Sequence, residues 1–487
     1  MKSYLHVTIA TVLASSLFFN CYAANHQSLN NEAKPKSMSS AVNSDASSST
    51  VSLNNEGISR EKFVGHWQGQ LSVSENQSIE FVFNIEKSEN DLVATLDVPA
   101  QNQFGLQFDS VSQIGNGITL VLNAAGIRYE GTLEKNTIKG VYQQGSFNAP
   151  VDLVKTQVKV TRQAKPQDPS LTPQYTVEEV NFLNDSDGHT LAGTLFVPDQ
   201  PFTHTAIILS GSGPTQQDGD IVGHKLYAVL ADLLTKKGIA VLRFDDRGVG
   251  ESGGEYATAT SKDFANDANA ALRFLKHHDS VASSKVGYIG HSEGSLIAAI
   301  ALANNKNASA DFYISLAGPS TTGGEILIDQ SYLIQKMRGM ASSELEKDDK
   351  LQRKLISAIS QDDSKEDIRA LMSASGVPAS QQEAQLSQLT SEWMQYFIKT
   401  DPKDYLRKLS LPVFAVHGAK DLQVPVRQNL DGFIQSIDKQ WLTYKIYPNL
   451  NHLLQPADKG LPEEYAGIST TLSPEVVEDI SLWLAQQ

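Results

Sequence analysis

The most constraining feature of this 487-residue chain is a single turn. The apolar run Val286–Ile289 ends in Gly290-His291-Ser292-Glu293-Gly294, and a run of helix-forming and small residues, Ser295-Leu296-Ile297-Ala298-Ala299, follows at once. A strand that turns directly into a helix makes a strained corner, and the flanking glycines let the backbone take it. Such a corner lifts its central residue above the sheet, which makes the hydroxyl of Ser292 a candidate nucleophile.

A serine hydroxyl is a poor nucleophile at neutral pH. It needs a neutral imidazole as base and a carboxylate to hold that imidazole in the right tautomer. Asp421 follows the apolar run Val413–Val416 in His417-Gly418-Ala419-Lys420-Asp421, and His452 follows Thr443–Tyr447 in Asn449-Leu450-Asn451-His452. In a parallel sheet the loops leaving one edge converge, so these distant positions can meet Ser292. A carbonyl attacked by Ser292 becomes an oxyanion that needs backbone N–H donors. The amide of Glu293 is one candidate. The amide of Ser212 is the other, in Ser210-Gly211-Ser212-Gly213-Pro214 after the run Ala206–Leu209. The competing reading of this loop is a plain glycine-rich turn; a phosphate cradle is disfavoured, because no Lys-Ser or Lys-Thr follows at the required spacing.

The surrounding pattern is of the α/β class. The runs Ala206–Leu209, Ile239–Phe244, Val286–Ile289, Phe312–Leu316, Val413–Val416 and Thr443–Tyr447 read as buried strands. Amphipathic helical stripes separate them, such as Leu226, Val229, Leu230, Leu233 and Leu234 before the helix stop Gly238, and Ala268, Ala271, Leu272 and Leu275. This rhythm predicts a mainly parallel sheet covered on both faces, opened by a hairpin around Asp187-Gly188. Residues 321–403 interrupt it with helical periodicity, and a helical cap inserted over the sheet edge is expected there.

The chain is too long for one ordinary core, which stops growing at roughly 250–300 residues. Residues 61–162 carry short alternating runs such as Ile79–Ile85, Leu92–Val98, Ile118–Leu122 and Val151–Val154, which predict a small antiparallel β domain. Its pairs of aromatic residues and glycines, Gly65 to Gly69 and Gly140 to Gly145, read as packing and turn positions ahead of a ligand surface. A proline-rich linker over 163–174 separates it from the catalytic domain expected at 175–487. Residues 24–60, rich in Ser, Asn and Ala, read as a disordered tether.

Residues 1–23 read as an export signal, with Lys2, the apolar run Val7 to Phe19, and a small-x-small site at Cys21-Tyr22-Ala23. The apolar run falls short of the ~20 residues that span a bilayer, so no integral membrane segment is expected in the mature chain. A periplasmic or secreted protein follows. Acylation of Cys21 is disfavoured by the bulky Phe18 and Phe19 beside it, and removal of the chain's single cysteine would leave no thiol chemistry. The net charge of -15 and pI near 5.2 disfavour nucleic acid and anionic lipid as partners.

Other conspicuous residues take plainer readings. Asp245-Asp246-Arg247-Gly248-Val249-Gly250-Glu251-Ser252 reads as a structural turn, His291 as a packing or substrate-rim residue, and His277-His278 as a solvated helix end. The sequence has no HExxH motif or Cys/His cluster, so neither a metal nor another cofactor is expected.

From about Tyr175 onward the chain resembles bacterial serine esterases related to the dienelactone-hydrolase branch of the α/β-hydrolase superfamily. The residues that carry the resemblance are Leu209 to Pro214, Phe244 to Gly248, Gly290 to Gly294, His417 to Pro425 and Asn449 to His452. It implies cofactor-independent hydrolysis of small, short-chain esters by Ser292, Asp421 and His452. Dienelactone hydrolases use a cysteine nucleophile, so their substrate does not carry over. Acyl transfer or amide cleavage by the same triad stays open, as does a catalytically silent cell-wall or carbohydrate-binding protein. Oligomeric state has no signature in the sequence.

Overall fold

The computed structural model describes residues 61–487 apart from short breaks at 75–76, 89–90, 100–102, 123–126, 145–146, 158–163, 305–309 and 378. The expected signal at 1–23 and tether at 24–60 lie outside these described residues. The chain divides after residue 162 into two compact units. Among the described residues no helix is long and apolar enough to cross a membrane.

The first unit is an antiparallel sheet of ten strands between Gly65 and Thr156. Alternation puts Trp67, Phe81, Phe83, Leu96, Leu120, Tyr129 and Tyr142 inside. Trp67 satisfies its buried Nε1–H on the carbonyl of Phe63 at 2.6 Å, and Tyr129 Oη donates to Val151 O at 2.9 Å. A Cβ at Gly140 would run into the ring of Tyr129. Here the aromatic residues and glycines serve the core.

The second unit is built on an eight-stranded sheet. Its strands are β1 (Thr176–Asn184), β2 (His189–Val197), β3 (His204–Leu209), β4 (Ala240–Phe244), β5 (Lys285–His291), β6 (Tyr313–Leu316), β7 (Val413–Gly418) and β8 (Leu442–Tyr447). They lie in the order β1-β2-β4-β3-β5-β6-β7-β8, with β2 antiparallel to both its neighbours and β3 to β8 all parallel. The chain steps outward from β3 to β4 on one side and returns to β5 on the other. The crevice between the loops after β3 and β5 is therefore the switch point where sites form in such sheets.

Helix α1 (Leu226–Lys236) follows β3, and its stripe Leu226, Val229, Leu230 and Leu234 is buried, while Leu233 is only partly covered. Gly238, with φ +83°, ends the helix in the left-handed conformation that glycine adopts without strain. Helix α2 (Ser261–Lys276) starts where the Asp263 carboxylate accepts the Thr260 N–H at 2.8 Å. Helix α3 (Glu293–Asn304) is buried along its whole first part, which suits a segment without a polar face.

Between β6 and β7 come α4 (Gly323–Met337), α5 (Ser342–Ser360), α6 (Lys365–Ala374), α7 (Ala379–Leu389), α8 (Glu392–Lys399) and α9 (Lys403–Leu406). Side chains of Thr322, Ser364 and Ser391 cap α4, α6 and α8 by accepting amides three residues on. Leu355, Ile359, Met372, Leu389, Met394 and Phe397 of this insertion share one apolar cluster with α2 and α3. Among its polar side chains Gln330, Gln335 and Gln352 are buried. After β7 come α10 (Val426–Ser436) and, after β8, α11 (Pro474–Leu484).

One reading needs correction. The run ending at Tyr447 is not a buried strand: β8 is the sheet's edge, and Thr443 to Ile446 are exposed because β7 covers one side alone. Part of the expected linker is docked. Lys165 Nζ donates to Ala466 O and Ile468 O at 3.0 and 2.6 Å, and Gln167 Oε1 accepts the Thr471 and Leu472 amides.

Candidate active site

Ser292 occupies the corner between β5 and α3 with φ +55°, a left-handed conformation that a residue with a side chain adopts only under strain. Its amide is anchored on Leu316 O of β6 at 2.9 Å. The glycines on either side are required by space. A Cβ at Gly290 would collide with the backbone of Gly294, and one at Gly294 with the carbonyls of Leu209 and Ser210. Ser292 itself is half-buried, while both its neighbours are buried.

Asp421 and His452 are brought into direct contact from the ends of β7 and β8. His452 donates from Nδ1 to Asp421 Oδ2 at 2.8 Å, which leaves Nε2 as the basic nitrogen. The other carboxylate oxygen of Asp421 accepts the amides of Gln423 and Val424, each at 2.8 Å. Asn451 braces the histidine loop by accepting the Leu453 and Gln455 amides at 3.0 Å. Gly418 lets β7 lie against that loop, since a Cβ there would meet Leu450 O.

His291 joins the serine corner to the histidine loop. Its Nε2 faces the carbonyl of His452 at 3.0 Å, and because a carbonyl can only accept, Nε2 carries the proton. Its Nδ1 then accepts from Tyr227 Oη at 3.3 Å, and that oxygen in turn accepts the Gly211 N–H at 2.8 Å. Burial pushes the His291 pKa down to about 3, consistent with a neutral ring. The substrate-rim reading of His291 is thereby excluded, since the residue is only 4% exposed. His417 is also buried, and burial lowers its pKa to about 4.

The loop after β3 faces the corner closely: a Cβ at Gly211 would lie 3.3 Å from the Cβ of Ser292. Asp246 holds it in place, accepting the Ser210 hydroxyl at 2.6 Å and the Thr215 amide at 2.9 Å. Asp245 accepts the amides of Gln217 and Glu251 at 2.8 and 3.0 Å. Burial pushes the Asp246 pKa up to about 8. Ser212 reaches Glu293 through a side-chain hydrogen bond, so the two residues expected to supply amides to an oxyanion are linked.

Asp187, His189 and Asp267 could by donor type hold a metal ion. Arg247 already neutralises them, with Nη2 on Asp187 and Nε on Asp267, each at 2.7 Å. Its remaining contacts run to Asp263 O and Asp267 Oδ1. The carboxylates are thus committed to an ion pair that ties the β1–β2 hairpin to α2.

Tyr227 and Trp393 belong to this neighbourhood but carried no functional signal in the sequence. The paired aspartates directly after β4 were visible as a turn, and their grip on the neighbouring loop was not.

The sheet order, the serine corner and the Asp421–His452 bond together define an α/β-hydrolase. A family model described as serine aminopeptidase, S33, matches residues 223–458. The esterase EstD of Thermotoga maritima is 25% identical over 319 residues, covering 64% of this chain and 70% of that protein. The chain is a serine hydrolase with the α/β-hydrolase fold. Among solved structures, an esterase of Pyrococcus furiosus is similar with a TM-score of 0.40 and 19% identity, covering 67% of this chain and 96% of that one. A dienelactone hydrolase from Anabaena variabilis gives 0.38 and 16% over 64% and 98%.

Proposed function

We propose that this hydrolase cleaves short-chain carboxylic esters through an acyl-enzyme on Ser292. His452 Nε2 takes the hydroxyl proton as Ser292 Oγ attacks the ester carbonyl, and Asp421 stabilises the imidazolium that forms. The tetrahedral oxyanion is held by the amides of Glu293 and Ser212; the Gly211 amide is already committed to Tyr227 Oη. On collapse the C–O bond breaks, and His452 returns its proton to the leaving alcohol. Water, deprotonated by the same nitrogen, then attacks the acyl carbon, releases the carboxylic acid and restores Ser292. The helices between β6 and β7 act as a cap that sets acyl length, and the chain works after export.

The observation that carries this reading is the 2.8 Å bond from His452 Nδ1 to Asp421, which fixes the tautomer a serine base requires. The test is turnover of p-nitrophenyl esters from acetate to palmitate, beside Ser292→Ala. The expected result is an optimum at short chains and a loss on the order of 10⁶-fold in kcat for the variant. Equal rates for both proteins would defeat it. The matched family's description as a serine aminopeptidase makes amide cleavage the second reading, which amino-acyl p-nitroanilides in the same series would reveal.

A further inference from the structure

The residue after Ser292 carries a carboxyl group that ester hydrolysis does not use. Glu293 is 3% exposed, and three neutral donors from separate parts of the chain converge on its carboxylate. Ser261 Oγ, at the start of α2, donates to Oε1 at 2.6 Å, and Trp393 Nε1, on α8 of the insertion, donates to the same oxygen at 2.9 Å. The third is the side chain of Ser212. Burying a carboxylate costs several kcal/mol unless it is well bonded, and an apolar side chain would fill this space without that cost. What the carboxylate adds is a connection.

We propose that Glu293 is a positioning residue through which the inserted helices set the loop that binds the reacting oxygen. This rests on the reading of Ser292 as nucleophile and of the Ser212 amide as an oxyanion donor. The indole of Trp393 is itself held by the insertion: it stacks on Phe397 with centroids 5.4 Å apart and planes 7° from parallel. Phe397 in turn packs against Gly323, where a Cβ would collide with it, so α8 and the start of α4 move together. A displacement of these helices breaks the Trp393–Glu293 bond, and Glu293 then loosens its hold on Ser212. Oxyanion stabilisation tolerates errors of only about 0.5 Å, so a small loosening lowers turnover without altering the substrate pocket. Burial pushes the Glu293 pKa up while its donors favour the ionised form, which makes the group sensitive to the loss of any one of them.

The experiment is a cycle of Trp393→Phe, Ser212→Ala and the double variant in the full chain, with kcat and KM measured on p-nitrophenyl acetate and butyrate. Phenylalanine keeps the stacking and removes the N–H; alanine at 212 keeps the amide and removes the hydroxyl. Each single variant should lose about tenfold in kcat, the worth of one hydrogen bond, with KM within about twofold, and the double variant should be no worse than either. Glu293→Gln, which still accepts at Oε1, should keep more activity than Glu293→Ala. If Glu293→Ala does not fold, the Trp393 and Ser212 cycle still decides. A Trp393→Phe that shifts KM or acyl preference at unchanged kcat overturns the proposal, because Trp393 is then only a pocket wall. Additive losses, or glutamine no better than alanine, overturn it as well. Wild-type protein inert to esters and to a fluorophosphonate label would instead overturn the reading of Ser292.

Discussion

His291 donates from Nε2 to the backbone carbonyl of His452 at 3.0 Å, so the residue before the serine holds the loop of the proposed base. The bond lies between two buried residues, where its loss leaves a carbonyl unsatisfied.

His291→Ala is therefore expected to lower kcat on p-nitrophenyl acetate by about 10- to 100-fold, the rate equivalent of about 1–3 kcal/mol. His291→Gln, which can still donate, should recover part of the loss. Steady-state kinetics beside a urea melt separates misplacement of His452 from unfolding; equal kcat in all three proteins would rule out the bracing role.

Stability should pass through a maximum near pH 6.5. His291 and His417 are held near 3 and 4 by burial, against ~6.5 in an unfolded chain. Their contribution is complete above about pH 6.5 and is lost as pH falls toward the folded values. Asp246 runs the other way: raised to about 8 against ~3.9 unfolded, it contributes fully below the unfolded value and loses that contribution as pH rises through 8. Counting these three groups alone, between about pH 4 and 6.5 the unfolded state binds a net one more proton, two from the histidines less one from the aspartate, a slope of about 1.4 kcal/mol per pH unit. Asp246→Asn should double that slope and flatten the decline between pH 6.5 and 8. Urea melts at pH 4.5, 6.5 and 8 check this; an unchanged slope in the variant would refute the buried proton.

Arg247→Ala leaves Asp267 buried with only Asn184 and His189 on its carboxylate, and should cost about 3–5 kcal/mol in a urea melt. Arg247→Lys should recover only part of it, because one ammonium cannot reproduce the fork that reaches Asp187, Asp267 and Asp263 O. Since Arg247 occupies the one three-ligand cluster found among the described residues, EDTA should leave wild-type turnover unchanged. Loss of turnover in EDTA, restored by added metal, would contradict that assignment.

Sequence alone made some of this legible because the physics there is local. Gly290 and Gly294 flank Ser292 because the strand-to-helix corner leaves no room for a Cβ, and that requirement shows as a string of neighbouring residues. Asp421 and His452 stood out as candidates because each follows an expected strand, and parallel strands deliver such ends to one edge. The edge position of β8 was not legible, since a residue's exposure depends on whether another strand pairs beside it.

Chain chemistry and period thus determined the alternation of strands and helices, the serine corner and the α/β class. Tertiary structure alone decided which buried groups hold that corner in place. Tyr227 reads as one more core aromatic in a helical stripe, and only packing turns its hydroxyl toward Gly211 and His291. Trp393 stands one hundred residues from Glu293, and no local pattern announces their bond. Hydrophobic period is written in neighbouring residues, whereas a hydrogen bond between distant segments exists only once the chain has folded to bring them together.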